Sequence, residues 1–261
     1  MSYLPEKISA AAFGVAVGVL SHIGGMGLLA WHSVVATFTG KVARRDIVNQ
    51  MFSVGVQSIP LVIVMAALSG IVTSQQGGYQ LTSAIPLYVL GSVVTSGIVL
   101  ELAPVMTAVG LIGRVGARIT AELGTMKVSE QIDALYSCGR DPVAVLAAPR
   151  IIAGTLMTPV LVLLADGIGV SAGMLAANLS ANLGPESFMY GASLYWHTWD
   201  MFYGVVKGMT FGFIIPLISV HMGLLTTGGA EGVGRSTTTA VVLMIIAVFV
   251  SDAIFPPLLL N

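Results

Sequence analysis

The sequence contains little charge. Only 9% of its 261 residues are Asp, Glu, Lys or Arg, whereas about a quarter of the residues of a soluble domain are charged. Hydrophobic residues make up 56%, and no charge interrupts residues 8–40, 47–100, 208–230 and 236–251. Because roughly 20 apolar helical residues cross a bilayer core, the stretch 47–100 is long enough for two crossings. The composition excludes an ordinary soluble domain and predicts an integral membrane protein.

Cysteine and metal-binding patterns are scarce as well. The single Cys138 excludes an intramolecular disulfide and a cysteine-based metal cage. The four histidines show no spacing that would converge with carboxylates on a metal ion. The net charge of −1 gives no indication of nucleic acid binding. Since the amino terminus lacks the short hydrophobic region and cleavage pattern of a secretory signal, we expect it to be retained.

Long apolar runs favour membrane-spanning helices over the weakly alternating strands of a transmembrane barrel. We expect an all-α integral membrane protein, a single domain with five transmembrane helices preceded by an N-terminal interfacial helix. The predicted spans are residues 51–73, 85–112, 151–175, 202–225 and 237–259. Five crossings would place the two termini on opposite sides of the membrane.

The segment before these spans, residues 8–40, is also apolar enough to cross a membrane. However, five of its six glycines, those between residues 14 and 27, lower the helix propensity, and His22, Trp31 and His32 suit an interface better than a bilayer centre. These features favour a helix that lies in the membrane plane or is re-entrant. A sixth span is the alternative.

Basic residues indicate the orientation, because short cytoplasmic loops collect Lys and Arg. If the segment before the first span is cytoplasmic, Lys207 is the only basic residue that falls on the outer side. The basic residues expected inside are Lys7, Lys41, Arg44, Arg45, Arg114, Arg118, Lys127, Arg140, Arg150 and Arg235. The outer segment is rich in amphipathic aromatic residues that suit the headgroup level, and we expect a short interfacial helix there at about residues 185–200.

Nine charged residues concentrate in residues 113–150. Within this segment we expect Ser129 to be the N-cap of a short helix, with Glu130 and Asp133 in its first turn and Gly139 beyond its end. The predicted helix, residues 129–138, carries three apolar residues on one face: Ile132, Leu135 and Tyr136. Such a helix suits insertion into a groove on a partner protein. A solvated connector between two spans is the alternative.

Three basic and acidic residues of the same segment, Arg114, Arg118 and Glu122, follow each other at intervals of four. They therefore share one helical face and can form local ion pairs. Contacts with a partner protein or with anionic lipid headgroups are the alternatives. We treat the three residues as a charged face exposed on the cytoplasmic side.

Acidic residues within the spans are candidates for function. An ionisable side chain at membrane depth costs about 2.5 to 3.5 kcal/mol, so it normally faces protein or water. We single out Glu101, just ahead of Pro104, which either lines a pocket or is hydrogen-bonded to a neighbouring helix. For Asp166 and Asp252 we expect structural or interfacial roles.

Glycines repeat every four residues in two spans, at Gly204, Gly208 and Gly212 and at Gly169 and Gly173. A face of small residues lets another helix approach closely. Such faces serve either packing within one subunit or a seam between two subunits, and both alternatives stay open from the pattern.

Two patterns are similar to catalytic motifs. Residues 229–236 have the spacing of a phosphate-binding loop with Arg235 in place of lysine, but membrane spans flank them instead of the required strand and soluble helix. Ser69 with His221 is compatible with an intramembrane serine hydrolase, but Ala67 stands where such motifs have glycine. We therefore expect neither nucleotide binding nor catalysis by this chain.

Two blocks of sequence resemble a known family. The first contains Glu101-Leu102-Ala103-Pro104, then Gly113-Arg114-Val115-Gly116, then AELGTMKVSEQIDAL at residues 121–135, and the second is GGAEGVGRSTT at residues 228–238. They are similar to the MlaE/YrbE family, the permease subunits of ABC-type lipid transporters that work with MCE-domain proteins. The resemblance covers about residues 45–258. Ala103 departs from it, because the family usually has glycine there.

The resemblance implies a homodimer in the bacterial inner membrane, with a cytoplasmic N terminus and a periplasmic C terminus. Residues 129–138 would be a coupling helix seated on a cytoplasmic ABC ATPase dimer. ATP and Mg²⁺ would be bound by that ATPase, and no cofactor by this chain. An MCE-domain protein would dock on the outer side, and a STAS-domain protein sometimes binds the ATPase. The coupling contacts would be made by Glu130, Gln131, Asp133, Leu135 and Tyr136.

The resemblance also implies a lipid pocket between two subunits, lined by the first, second and fifth spans near the outer side. On this chain we expect it to include Glu101 with Leu100, Leu102, Val72 and Tyr79. The implied function is ATP-driven movement of phospholipid or a related lipid between the membrane and an MCE assembly. The alternatives are a scaffold that anchors the MCE protein and the ATPase without transport, and a secondary carrier driven by an ion gradient.

Overall fold

The computed structural model describes residues 4–40, 42–81 and 85–259, with side chains from residue 18 onward except residue 19. Among these residues all regular secondary structure is helical and there is no strand, which confirms the predicted all-α class. The helices in chain order are α1 Leu4–Phe38, α2 Arg44–Val54, α3 Ile59–Gln80, α4 Val89–Gly97, α5 Ala103–Leu111, α6 Ala117–Val128, α7 Gln131–Ser137, α8 Ala148–Ala181, α9 Pro185–Leu194, α10 Thr198–Leu224 and α11 Gly229–Leu259.

Within the described residues, five helical stretches are long and apolar enough to cross a membrane, as predicted. They are span 1, Arg44–Gln80; span 2, Val89–Val128; span 3, Val143–Ala181; span 4, Thr198–Leu224; and span 5, Gly229–Leu259. Each is longer than predicted, because the helices continue past the apolar core into polar residues. The short helices α7 and α9 lie at opposite ends of the bundle, and we call these ends the α7 end and the α9 end.

Three π-helical segments interrupt the spans, at Ile98–Leu102 and Ile112–Gly116 in span 2 and at Val143–Ala147 in span 3. The first and the third end two residues before Pro104 and Pro149. Because proline has no N–H group, it cannot donate the regular helical hydrogen bond, and a wider turn accommodates its ring. The first of these wide turns carries Glu101, so the helix departs from α geometry at that residue.

Glycines set the closest approaches between spans. A Cβ on Gly70 of span 1 would collide with the carbonyl oxygen of Gly169 in span 3, and one on Gly154 of span 3 would lie 2.5 Å from the carbonyl oxygen of Gly212 in span 4. Gly208 also packs against span 3. The repeated glycines therefore serve packing within one chain, which is the first of the two alternatives.

The N-terminal helix α1 is one unbroken helix of 35 residues. It contains no turn within residues 4–38, and its placement relative to the membrane, in the plane or re-entrant, stays a prediction. α1 packs against α10 and the π segment before α8, and His22 Nδ1 lies 3.1 Å from His221 Nε2 of α10. Lys41, one of the basic residues expected inside, lies outside the described residues.

The interfacial helix predicted on the outer side, at about residues 185–200, is shorter in the structure. α9 ends at Leu194 instead of continuing to residue 200, and span 4 already begins at Thr198. The backbone N–H of His197 donates to the carboxylate of Asp200 over 3.3 Å, as one half of a capping box. This cap starts a new helix at the point where the sequence pattern predicted a continuous one.

Candidate functional site

Three charged side chains from three spans meet inside the bundle. Lys207 of span 4 has a side chain with 0% exposure, and its Nζ lies 2.7 Å from Glu101 Oε2 of span 2 and 2.6 Å from Asp252 Oδ1 of span 5. Nζ also donates to the carbonyl oxygen of Leu100 over 3.1 Å. We call Glu101, Lys207 and Asp252 the charged cluster. It connects spans that are far apart in the sequence.

The local structure explains why these groups come together. Gly204, on the same helix as Lys207, lies close to the carbonyl oxygen of Val99, so span 4 can approach the wide turn of span 2. That turn exposes the carbonyl of Leu100 and presents the Glu101 carboxylate to the ammonium group. A Cβ at residue 204 would lie 3.3 Å from that oxygen, so even alanine would make a tight contact there.

An aromatic wall borders the charged cluster. The Lys207 ammonium lies 5.1 Å from the centroid of the Tyr203 ring, within the range of a cation–π contact. The Tyr203 ring in turn packs edge-on against Phe255 of span 5, at a centroid distance of 6.1 Å. The rings limit access of water to the lysine and so strengthen its ion pairs.

The cluster is asymmetric in its exposure. The side chain of Asp252 is 11% exposed, whereas that of Glu101 is 48% exposed. With two carboxylates and one ammonium, the three groups have a formal charge of −1 when all are ionised. Glu101 is therefore the group of the cluster that can receive a hydrogen bond or a cation from outside the chain, while Lys207 and Asp252 hold it in place.

Lys207, the only basic residue expected towards the outer side, lies within span 4, as the predicted bounds 202–225 place it. Its side chain is fully buried, so it pairs inside the bundle instead of facing solvent. Glu101 also has an ionic partner, so it is hydrogen-bonded to a neighbouring helix and half-exposed at the same time. The missed signal was one basic residue within a span, matched by acidic residues within two others, since such charges pair inside bundles.

The other residues predicted for a lipid pocket are divided between span 2 and span 1. Leu100 and Leu102 flank Glu101 and are half-buried. Val72 and Tyr79, on span 1, are 47% and 93% exposed. A single chain therefore does not enclose this set, and a pocket that contains it requires a second molecule. The assignment stays a prediction.

A second group of charged residues lies at the α7 end. Arg114 Nη1 donates to Ser58 Oγ over 2.5 Å and to the carbonyl oxygen of Ser53 over 3.2 Å, and Arg118 Nη1 donates to Ser53 Oγ over 2.9 Å. Both arginines thus hold the break between α2 and α3 against span 2. The predicted local ion pairs with Glu122 are wrong, because polar groups of span 1 compete successfully for the arginines.

Glu122 pairs instead with span 3. Its Oε1 accepts a hydrogen bond from Arg150 Nη2 over 2.7 Å, and Arg150 Nη1 donates to the carbonyl oxygen of Leu146 over 2.6 Å. Arg150 is only 4% exposed, whereas the Glu122 side chain is 43% exposed. The ion pair therefore joins the ends of spans 2 and 3 on either side of α7.

The helix between these two ends, α7, differs in detail from the predicted one. Ser129 is not its N-cap, because the Ser129 hydroxyl donates to the carbonyl oxygen of Thr125 over 2.7 Å at the end of α6. Glu130 precedes the helix in a left-handed conformation with φ of 61°. Gly139, with φ of 71°, follows the helix. The observed helix, Gln131–Ser137, is therefore shorter than residues 129–138.

The two faces of α7 are unlike. Ile132 is 3% exposed and holds the helix on the bundle, with Leu135 packed beside it. Ile132, Leu135 and Tyr136 are predicted to share one face, but Tyr136 is 61% exposed and does not pack on the bundle as Ile132 does. Lys127 Nζ lies 3.1 Å from Asp133 Oδ1, and this ion pair joins α6 to α7. An exposed aromatic side chain on a helix fixed at both ends is available to a partner.

The architecture defines a multi-pass helical membrane protein with ionised groups inside the bundle. The model of the family described as Permease MlaE matches residues 47–257. The chain therefore belongs to the MlaE permease family, a family of ABC transporter permeases. This finding confirms the resemblance seen in the sequence.

Relatives match along most of their length. A probable ABC transporter permease protein of Synechocystis sp. is 39% identical over 213 residues, 82% of this chain and 81% of that protein. One of Rickettsia typhi is 39% identical over 215 residues, 82% of each chain. The chloroplastic protein trigalactosyldiacylglycerol 1 of Arabidopsis thaliana is 33% identical over 225 residues, 86% of this chain and 64% of that protein.

Proposed function

We propose that this chain is the membrane-embedded permease subunit of an ABC transporter that moves a phospholipid or a related lipid. Two copies would form the transmembrane unit in the bacterial inner membrane, with the α7 end in the cytoplasm and the α9 end facing the periplasm. A cytoplasmic ATPase dimer would bind ATP and Mg²⁺. An MCE-domain protein would receive or deliver the lipid at the α9 end, and a STAS-domain protein could join the ATPase.

The observation that carries this proposal is the position of α7. It is a short helix between two spans, held on the bundle by Ile132 and by the ion pair of Lys127 with Asp133, and it exposes Tyr136. Span 2 ends two residues before α7, and its part from the wide turn that contains Glu101 to Val128 is about 40 Å long at roughly 1.5 Å per residue. Movement of α7 by an ATPase would therefore reach Glu101 along span 2, through α6, the π-helical segment at Ile112–Gly116 and α5.

A lipid as cargo is supported by two observations. The Arabidopsis relative is named for trigalactosyldiacylglycerol, a lipid. In the chain itself, span 5 leaves most of its apolar side chains uncovered, among them Ile246, Phe249 and Ile254, which are 53%, 50% and 56% exposed. A second copy on this side would enclose a space near the half-exposed Glu101. There the carboxylate would meet the polar headgroup and the apolar residues would meet the acyl chains.

Loss of the exposed aromatic on α7 tests the coupling proposal. Tyr136→Ala should abolish co-purification of the ATPase in mild detergent, because it removes the exposed side chain that would contact the ATPase. The permease should stay inserted, because Tyr136 is 61% exposed and contributes little to the packing of the bundle. Tyr195→Ala at the α9 end is the matched control, since Tyr195 is 62% exposed and Tyr136 is 61% exposed. Equal recovery of the ATPase with both variants would contradict a role of α7 in coupling.

Analysis of the purified complex distinguishes a transporter from the scaffold alternative. The complex from native membranes should contain the ATPase, an MCE-domain protein and bound lipid identified by mass spectrometry. A scaffold would recover the proteins, but ATP hydrolysis by the complex would not respond to added lipid.

A further inference from the structure

A cavity of about 510 Å³ opens between span 2, span 3 and α9. Thr95 and Val99 of span 2 line one side, Asp166 and Val170 of span 3 line another, and Trp196 lines it near the α9 end. The volume lies within the range of about 300 to 1,000 Å³ that is typical of small-molecule sites. The members of the charged cluster do not line it, so this is a second place in the membrane region where a ligand can bind.

Two buried polar atoms around this cavity have no partner. Oδ1 of Asp166 and Oγ1 of Thr95 are shielded from solvent, and the described residues offer neither of them a hydrogen bond. Unpaired buried polar side chains are uncommon in native proteins, and an unpaired carboxylate is the most unfavourable kind. Both residues line the same cavity, so a group bound there would lie beside the Asp166 side chain.

The side chains that line the cavity indicate which class of ligand it can bind. Among the described residues that line the cavity there is no Lys, Arg or His, and the remaining wall is largely apolar, with Val170, Met174 and Met189. A carboxylate without a basic neighbour attracts a cation, and an ammonium group has three N–H donors and no acceptor. One such group can therefore donate to the Asp166 carboxylate, while an apolar body fills the rest of the cavity.

We propose that this cavity is a binding site for a lipophilic amine, a compact apolar molecule with one protonated amino group. A phospholipid fits less well, because its phosphate would face the Asp166 carboxylate with no cation beside it. An acyl chain alone would leave both oxygens unpaired. The site does not depend on the proposed lipid transport, so its failure would leave that function untouched.

A series of probes with one skeleton and different head groups tests the site. 4-Phenylbutylamine, 4-phenylbutanol and 4-phenylbutyrate have the same carbon frame and carry an amine, a hydroxyl and a carboxylate. Binding to the purified protein in nanodiscs is measured by isothermal titration calorimetry, with protein-free nanodiscs as the reference. We expect the amine to bind about tenfold more tightly than the alcohol, because hydrogen bonds to charged groups are stronger, and the acid not to bind measurably.

Two variants test whether Asp166 causes the preference for the amine. Asp166→Asn keeps the side-chain shape and should bring the affinity for the amine to within about threefold of that for the alcohol, since the charge is removed. Glu231→Gln, at an exposed position near the start of span 5, is the matched control and should leave the tenfold preference unchanged. The proposal is overturned if the amine does not bind, if the alcohol binds the unaltered protein equally well, or if Asp166→Asn keeps the preference. Should Asp166→Asn not fold, the probe series on the unaltered protein still decides.

Discussion

Removing the buried lysine is the most informative perturbation of the bundle. Lys207→Met keeps an unbranched side chain of similar length but takes away the ammonium group that lies 2.6 Å from Asp252 and 2.7 Å from Glu101. Breaking a buried ion pair by removing one partner typically costs about 3 to 5 kcal/mol, because the other charge is left uncompensated. Here the two partners contribute unequally.

The exposed fractions of the two carboxylate side chains determine how much free energy of unfolding is lost. Asp252, with a side chain that is 11% exposed, loses its counter-charge in a dry environment and accounts for most of the loss. Glu101 is 48% exposed, so solvent screens its pairing and we assign it no more than about 1 kcal/mol. We therefore expect Lys207→Met to lower the free energy of unfolding by about 3 kcal/mol.

A second substitution, Asp252→Asn, distinguishes the loss of an ion pair from a simple packing defect. In the double variant Lys207→Met, Asp252→Asn the uncompensated carboxylate is gone, so the stability should recover by at least about 1 kcal/mol relative to the single variant. Reversible unfolding in mixed micelles with increasing dodecyl sulfate, followed by circular dichroism, measures both values. Lys127→Met is the matched control on an exposed ion pair and should change stability by less than about 0.5 kcal/mol. A double variant that is no more stable than the single one would refute the electrostatic reasoning.

Two further predictions concern packing and the α7 end. Gly70→Ala should destabilise the protein by about 1 to 3 kcal/mol, because its Cβ would collide with the Gly169 backbone, whereas Gly97→Ala has open space and should be close to neutral in the same unfolding assay. Arg150→Met should cost roughly 2 kcal/mol, since the buried guanidinium is replaced and the Leu146 carbonyl loses its donor, while Arg235→Met, at an exposed position, should be close to neutral. Equal stabilities within either pair would show that the contacts named here do not hold the spans together.

The class of the fold and the number of spans could be predicted from the sequence because the bilayer imposes both. A helix that satisfies its own backbone hydrogen bonds needs a long apolar run, and such runs are visible without any knowledge of packing. The ends of the spans are less visible. Span 2 continues through Arg114 and Arg118 to Val128 because polar groups of span 1 bind the two arginines, which composition alone does not show.

The charged cluster could be predicted only in part. Glu101 stands out as an acidic residue in an apolar run, but its partner is 106 positions away, and helix packing decides which residues meet. The positive-inside rule concerns basic residues in loops and near helix ends, so it gives no information about the buried pairing of Lys207 with Asp252. Likewise, Ser129 has the right chemistry for an N-cap, but α6 continues to Val128 and the chain turns at Glu130 instead.

ATP-dependent lipid movement is the measurement that tests the central claim most directly. The complex purified from native membranes is reconstituted into liposomes with a fluorescent phospholipid, and transfer of the lipid is followed with ATP or with a non-hydrolysable analogue. The account predicts transfer with ATP alone, and its loss in Tyr136→Ala at unchanged insertion of the permease. Transfer at the same rate without ATP hydrolysis, or an unimpaired rate in Tyr136→Ala, would contradict it.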